Sequence, residues 1–256
     1  MSHTLSRLRS YLILDPLIFL YTGFFVALSL VSSLFDPNGT MQHKIARTWS
    51  RLILFTCASP VTVIGMEHID PTRAHVYAAN HLSAMDIPVL YASLPVQFRV
   101  VALIDIFRYP LVGWHLRRSG QIPINMSTPR ATFKSLHGGI EDLRKGLSVL
   151  IFPEGGRSPS GELRAFMNGA FYMATKAQVD VVPLAIVGTF EMLPMNTFHI
   201  MPRRLELHVG KPISTAGLTT HHLEELSAMA REAIAGMYCS ARHSMQIKKA
   251  VPKDGS

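Results

Sequence analysis

The chain has 256 residues, 48 % of them hydrophobic and only 16 % charged, with a mean hydropathy of +0.22 and a formal net charge of +8. Soluble domains carry about 25 % charged residues, so the composition argues against a freely soluble protein and for a membrane-associated one. A basic surface attracts anionic lipid headgroups and nucleic acid alike. Here the basic residues sit beside apolar helices and no nucleic-acid-binding signature occurs, so lipid is the expected partner and nucleic acid is not. Cys57 and Cys239 are the only cysteines. They supply neither a disulfide framework nor metal spacing, and read as inert or buried thiols in a reducing compartment.

Residues 16–35 form an apolar run without a formal charge. As a helix this run would cover ~30 Å, about one hydrocarbon core. Asp36-Pro37-Asn38-Gly39 after it reads as a turn rather than a cleavage site, which argues against a removed signal peptide. Residues 41–55 are amphipathic. Ile45, Trp49, Leu52 and Ile53 fall at helical spacing, with Lys44, Arg47 and Arg51 on other faces. Residues 9–56 are therefore expected as two helices joined at 36–39. Basic residues flank the apolar run on both sides, Arg7 and Arg9 before it and Lys44, Arg47 and Arg51 after it, so no charge bias orients it. The pair either dips into one leaflet or crosses the bilayer and lies on its surface. Residues 1–58 are read as a membrane-anchoring segment, 59–244 as one folded domain and 245–256 as a disordered tail.

After Pro60 the periodicity changes. Residues 61–64, 75–79, 100–103, 121–124, 147–152, 181–187 and 205–209 read as strands, and Pro123 marks the fourth as an edge or an end. Helices fit between them at 129–145, 168–178 and 220–239. The first has Thr128 as N-cap, Pro129 at N1 and Gly146 as its stop. Gly138-Gly139 in its middle costs ~1 kcal/mol each relative to alanine, which points to close packing or a ligand. Strands alternating with helices predict an α/β domain with a mixed β-sheet flanked by helices. Polar segments at strand ends are where such sheets place ligands.

Two polar segments carry the chemistry. The first, Asn80-His81-Leu82-Ser83-Ala84-Met85-Asp86, follows an apolar strand. Neutral imidazole is the side chain best matched to take a hydroxyl proton near pH 7. One ring nitrogen must face the hydroxyl while the other is held by an acceptor. Asp86 can reach back from a helix start to hold His81 and stabilise the imidazolium. The competing reading is purely structural: Ser83 and Asp86 make a capping-box-like pair, and Asp86 before Ile87-Pro88 is itself a candidate N-cap. No further histidine or carboxylate has ligand spacing, so no metal site is expected.

The second segment, Phe152-Pro153-Glu154-Gly155-Gly156-Arg157-Ser158, leaves the clearest buried strand. Gly155-Gly156 would let backbone N–H groups approach an anion. Arg157 would grip phosphate in bidentate fashion, and Glu154 would accept from hydroxyls. Its competing reading is an ordinary turn with a solvated arginine.

In this order the two segments resemble the HxxxxD and FPEGxRS boxes of the glycerophospholipid acyltransferase family, in the manner of lysophosphatidate (1-acyl-sn-glycerol-3-phosphate) acyltransferases. The resemblance runs from about Val61 to Lys211. It takes in Phe166-Met167-Asn168-Gly169-Ala170 as an F-x-x-G-A segment, Val182-Pro183 as a V-P strand, and Tyr109-Pro110 through Gly120-Gln121-Ile122 as a P…G…G-x-I pattern. It implies acyl transfer from acyl-CoA or an acyl carrier protein to a lysophospholipid hydroxyl, with lysophosphatidate the first expectation. The catalytic domain would face the cytoplasm, and no metal or redox cofactor would be needed. His81 and Asp86 become the catalytic pair, and Asn80, Glu154, Gly155, Gly156, Arg157 and Ser158 the substrate-binding residues. Gly156 stands where threonine is common. Leu103 stands where a V-A-K lysine is often found, and Met126 where an arginine often follows G-x-I-x-I-x. Both basic residues are associated with phosphate recognition, so Arg130, one helical turn on, is the candidate replacement. Another lysolipid or lipid alcohol remains the alternative acceptor. A serine hydrolase is disfavoured by the missing G-x-S-x-G elbow, and a catalytically silent lipid-binding protein is the non-enzyme alternative.

Overall fold

The computed structural model describes residues 3–250. The chain opens with α1 (His3–Arg9), passes through a π-helical turn at Ser10–Leu14 and continues as α2 (Asp15–Ser32). Pro16 has no N–H, and its ring crowds the carbonyl four residues earlier. The widened turn just before it lets the rod run on past the proline. In the turn that follows, the Asp36 carboxylate accepts from the backbone N–H groups of Thr40, Met41 and Gln42 at 3.1, 2.6 and 3.1 Å. It thereby starts α3 (Thr40–Thr56). Two helices joined at 36–39 agree with the sequence expectation.

The helix pair is docked along its length. Ser10 Oγ donates to the Phe198 carbonyl at 3.2 Å and accepts from the Ile200 N–H at 2.6 Å. Ser29 Oγ bonds His115 Nδ1 at 2.8 Å, while within the pair Trp49 Nε1 of α3 donates to Thr22 Oγ1 of α2 at 3.2 Å. Arg47 donates to the carbonyls of Tyr91 and Leu94, and the buried Arg99 to those of Asn38 and Ser119. The face of α3 that carries Gln42, His43, Ser50, Ile53 and Leu54 is buried, and α3 packs on α4 (Asp86–Ser93).

His43 packs against the rings of Tyr91 and Phe98, with centroids 5.1 and 4.9 Å away, and those two rings also touch each other. Burial, with Arg47 and Arg99 nearby, pushes its pKa down from 6.5 to about 4. The folded state then binds this proton less readily than the unfolded chain. The associated stability is fully present above pH 6.5 and is lost as pH falls towards 4. Thermal unfolding across that window is expected to show a loss of up to about 3 kcal/mol that His43→Phe removes. Equal pH slopes in both proteins would exclude His43 as its source.

Seven strands form one sheet in the order β1-β7-β6-β2-β5-β3-β4. They are β1 (Val61–Ile64), β2 (Val76–Ala79), β3 (Phe98–Leu103), β4 (Ile122–Ile124), β5 (Ser148–Ile151), β6 (Val181–Val187) and β7 (Leu205–Val209). Neighbours are parallel except β6 and β7, so the sheet is mixed as expected, and β4 with Pro123 is an edge. Alternation along the central strands feeds two cores. Tyr77, Ala79, Val182 and Leu184 pack towards Ile53, Leu54 and Val89. Val76, Ala78, Val181 and Ala185 face the other side, against the helices described next.

The remaining helices are α5 (Val112–Arg118), α6 (Pro129–Ser135), α7 (His137–Arg144), α8 (Gly169–Ala177), α9 (Thr189–Met192) and α10 (Leu223–Ala250). Thr128 caps α6 as expected, accepting from the Ala131 N–H at 3.1 Å. The single helix expected over 129–145 is instead two, broken at Leu136. Packing accounts for Gly139, because a Cβ there would come within 2.8 Å of Met173 Sδ. The disorder expected from residue 245 does not begin there: α10 continues through Ala250, and Met245 packs against the second core. Residues 251–256 of that stretch lie outside the described ones. Cys57 is buried, whereas Cys239 is exposed.

Candidate active site

β2 and β5 are parallel neighbours, with Ala78 opposite Ile151. The segments leaving their carboxyl ends therefore emerge side by side, where an α/β sheet presents ligands. His81 Nδ1 lies 2.9 Å from Asp86 Oδ2. The same oxygen accepts from the backbone N–H groups of Leu82 at 2.7 Å and Ser83 at 2.9 Å. Asp86 is fully buried and is the first residue of α4, where the helix dipole favours a carboxylate. The reach back to the imidazole expected from the sequence is present, but Asp86 is not the N-cap: Met85 holds that position with no side-chain cap, and Asp86 Oδ2 instead ties the turn before α4 to the imidazole. A carboxylate only accepts, so the proton between them sits on His81 Nδ1, and Nε2 is left for a substrate. The ring stacks on Phe152 with centroids 3.9 Å apart and 17° between planes. Of the His81 side chain, 19 % is open to solvent.

Three residues expected at the substrate, Asn80, Glu154 and Ser158, hydrogen-bond within the protein itself. Asn80 is buried, and its side chain donates to the Ile186 carbonyl at 3.0 Å and accepts from the Ile186 N–H at 2.7 Å. It prolongs the seam between β2 and β6 just before His81. Glu154 is buried, with Oε1 accepting from the His81 N–H and Oε2 from the Arg164 N–H, both at 2.9 Å. Burial raises its pKa, against the lowering effect of those two N–H groups. It joins segments 73 residues apart in the chain. Ser158 is fully buried and its N–H donates to the His81 carbonyl at 2.9 Å. Gly155 has a φ of +70°, and a Cβ there would meet Met167 Sδ at 2.7 Å and Met126 Cε at 2.9 Å. Its lack of a side chain lets Met126 and Met167 approach, and Gly155 lines the cavity described below together with them.

Gly156 lines the cavity described below. Arg157 is half-buried, and its guanidinium makes no hydrogen bond or ion pair with the described residues. Arg130 is exposed on the first turn of α6 and is not drawn into the site.

A cavity of about 200 Å³ opens at His81. Leu103, Ile106, Ile124, Met126, Phe152 and Met167 contribute to its walls, so Leu103 and Met126, which stand in place of two basic residues, face it and make it apolar. A second cavity, of about 270 Å³, lies between α2, α3 and α5 and shares Ile87, Val100, Ala102 and Ile106 with the first. An apolar space thus extends from His81 to beneath the helix pair. Among the described residues no group of three or more His, Cys, Asp or Glu could hold a metal ion. Two contributors were not anticipated. Phe152 could have been found as the stacking partner from the adjacency of β2 and β5. Nothing marked the Arg164 N–H.

The acyltransferase family model matches residues 60–187, half of the chain. The chain is 34 % identical over 183 residues to the 1-acyl-sn-glycerol-3-phosphate acyltransferase LPAT1, chloroplastic, of Arabidopsis thaliana, a match covering 70 % of this chain and 51 % of that protein. It is 28 % identical over 214 residues to the 1-acyl-sn-glycerol-3-phosphate acyltransferase of Saccharomyces cerevisiae, covering 82 % and 70 %. It spans about half the length of the Arabidopsis relative and of a Brassica napus one. The crystal structure of the 1-acyl-sn-glycerophosphate (LPA) acyltransferase PlsC from Thermotoga maritima matches with a TM-score of 0.72 and 26 % identity, over 97 % of this chain and 96 % of that one. From the mixed sheet to the paired segments at its strand ends, the chain belongs to the acyltransferase family.

Proposed function

We propose that this protein transfers a fatty acyl group from a thioester donor to the free hydroxyl of a lysophospholipid, lysophosphatidate first, giving phosphatidate. The His81–Asp86 pair, 2.9 Å apart at an apolar cavity, carries this reading. His81 Nε2 takes the hydroxyl proton as the acceptor oxygen attacks the thioester carbonyl. The tetrahedral intermediate then collapses, the carbon–sulfur bond breaks, and the imidazolium returns the proton to the departing thiolate. Asp86 stabilises the imidazolium, and the Phe152 stack holds the ring plane. The donor is acyl-CoA or an acyl carrier protein, which present the same thioester, and the apolar cavities suit its hydrocarbon chain. The residues perform this chemistry without a metal or redox cofactor.

The relatives' names support lysophosphatidate as acceptor. Arg157 is the cation of the second segment that is free to hold its phosphate. Arg157→Ala is expected to raise the acceptor's apparent KM ~10-fold or more while kcat changes little, the pattern of lost uniform binding. An unchanged KM in steady-state kinetics would remove Arg157 from that role.

The helix Thr4–Ser32 has a mean hydropathy of 1.9 over its most apolar window, of which only 11 % is buried. Because it is docked on the domain at Ser10 and Ser29, the helix pair is read as dipping into one leaflet rather than crossing it. The domain then faces the cytoplasm with its thioester donors. The reaction is tested with purified full-length protein, labelled acyl-CoA or acyl carrier protein, and lysophosphatidate beside lysophosphatidylcholine and a monoacylglycerol. Labelled phosphatidate is the expected product. Transfer only to the other acceptors would keep the mechanism and change the substrate, and no transfer from either donor would contradict the reading.

A further inference from the structure

Between β3 and β4 the chain makes a compact loop, a 3-10 turn at Ile104–Arg108 followed by α5. Loops of soluble domains rarely gather large apolar side chains on the outside. Here Phe107 is buried, but Leu103, Ile104, Ile106, Tyr109, Leu111 and Trp114 are exposed, the last three by 64 %, 52 % and 53 %. The backbone holds them there. Leu111 has a φ of +61°, a costly conformation for a side chain of its size. Gly113 packs on the Phe107 carbonyl with no room for a Cβ, and Arg117 donates to that carbonyl at 2.6 Å. The loop is therefore fixed from beneath, and its apolar side chains are not needed to close it.

Three arginines, Arg108, Arg117 and Arg118, are exposed around this patch against a single acid, Asp105. Tyrosine and tryptophan beside arginine is the composition of a membrane–water interface. The patch adjoins the N-terminal helices, since Ser29 of α2 bonds His115 of α5 at 2.8 Å and α2 itself exposes Phe19, Phe24 and Leu28. It also adjoins the site, because Leu103 and Ile106 line the cavity at His81.

We propose that residues 103–118 form a second membrane contact, on the domain itself, which seats the mouth of the His81 cavity on a bilayer containing anionic lipid. The arginines complement anionic headgroups, and the apolar tip enters the acyl boundary next to α2. A lipid acceptor then passes from the leaflet to His81 without crossing water. This contact does not depend on which acceptor or donor is used.

The full-length protein has two tryptophans, Trp49 and Trp114. Its fluorescence would be measured on phosphatidylcholine/phosphatidylglycerol vesicles with brominated acyl chains, beside Trp114→Phe. A quenched component that disappears in Trp114→Phe is the expected result. A Trp114 component that stays accessible to aqueous iodide on vesicles, or that responds to an acyl carrier protein instead, would overturn the proposal. A second arm uses Tyr109→Ser/Leu111→Ser/Trp114→Ser, changes confined to exposed side chains. Turnover on acceptor in vesicles is expected to fall ~10-fold, with turnover in detergent micelles within about twofold of wild type. Equal loss in both media would overturn it. The fluorescence arm decides the matter even if no acyl transfer is detected, so failure of the proposed reaction and failure of this contact are distinguishable.

Discussion

His81→Ala is expected to lower turnover by ~10²-fold or more, the usual scale for losing a positioned general base. The structure makes this substitution informative because the local fold does not depend on the imidazole. The His81 N–H to Glu154 and the His81 carbonyl to Ser158 are main-chain bonds that alanine retains. Asp86 Oδ2 keeps its two backbone donors at Leu82 and Ser83, so the entry to α4 stays tied down. What is lost is the ring stacked on Phe152 and its Nε2. The acceptor's KM should change little, since the base acts on the transition state. Turnover within about threefold of wild type, in steady-state assays of the folded variant, would exclude His81 as the base.

Asp86→Asn is expected to cost ~10-fold at least in kcat, and up to ~10⁴-fold if the amide reverses the imidazole tautomer. The backbone N–H groups of Leu82 and Ser83 require an acceptor at the Oδ2 position. They favour placing the amide oxygen there, which preserves the His81 contact and removes only the negative charge that opposes the imidazolium. If the amide nitrogen faces His81 instead, the ring proton is driven to Nε2 and the base is lost. Both outcomes lower kcat, with folding checked by thermal melting. A wild-type kcat would reduce Asp86 to the helix-entry role that the sequence also allowed.

The strands were legible because β2, β5 and β6 are buried on both faces, whereas β1 and β7 alternate in burial with the period of two that marks a half-buried strand. β1, β6 and β7 begin and end where the pattern placed them. The break at Leu136 was not legible, since Phe133, Leu136, Ile140 and Leu143 keep one helical spacing across it. The continuation of α10 past 244 was missed because its last residues look polar, although Met245 still finds the core. Within the site, His81 and Asp86 were legible because their pairing is local, a strand end followed by a helix start. Asn80, Glu154 and Ser158 were not. Their partners at Ile186, Arg164 and the His81 carbonyl reach them only through the sheet order and the loop after β5, which no local spacing reveals. The same limit applies to the neighbours of Gly155, since Met126 and Met167 come from two separate segments.

The most direct test of the mechanism is transfer of a labelled acyl chain from acyl-CoA to lysophosphatidate by the purified full-length protein, side by side with His81→Ala. Phosphatidate formed by the wild type and reduced ~10²-fold or more in the variant is the expected result. Equal phosphatidate from the two proteins would contradict it.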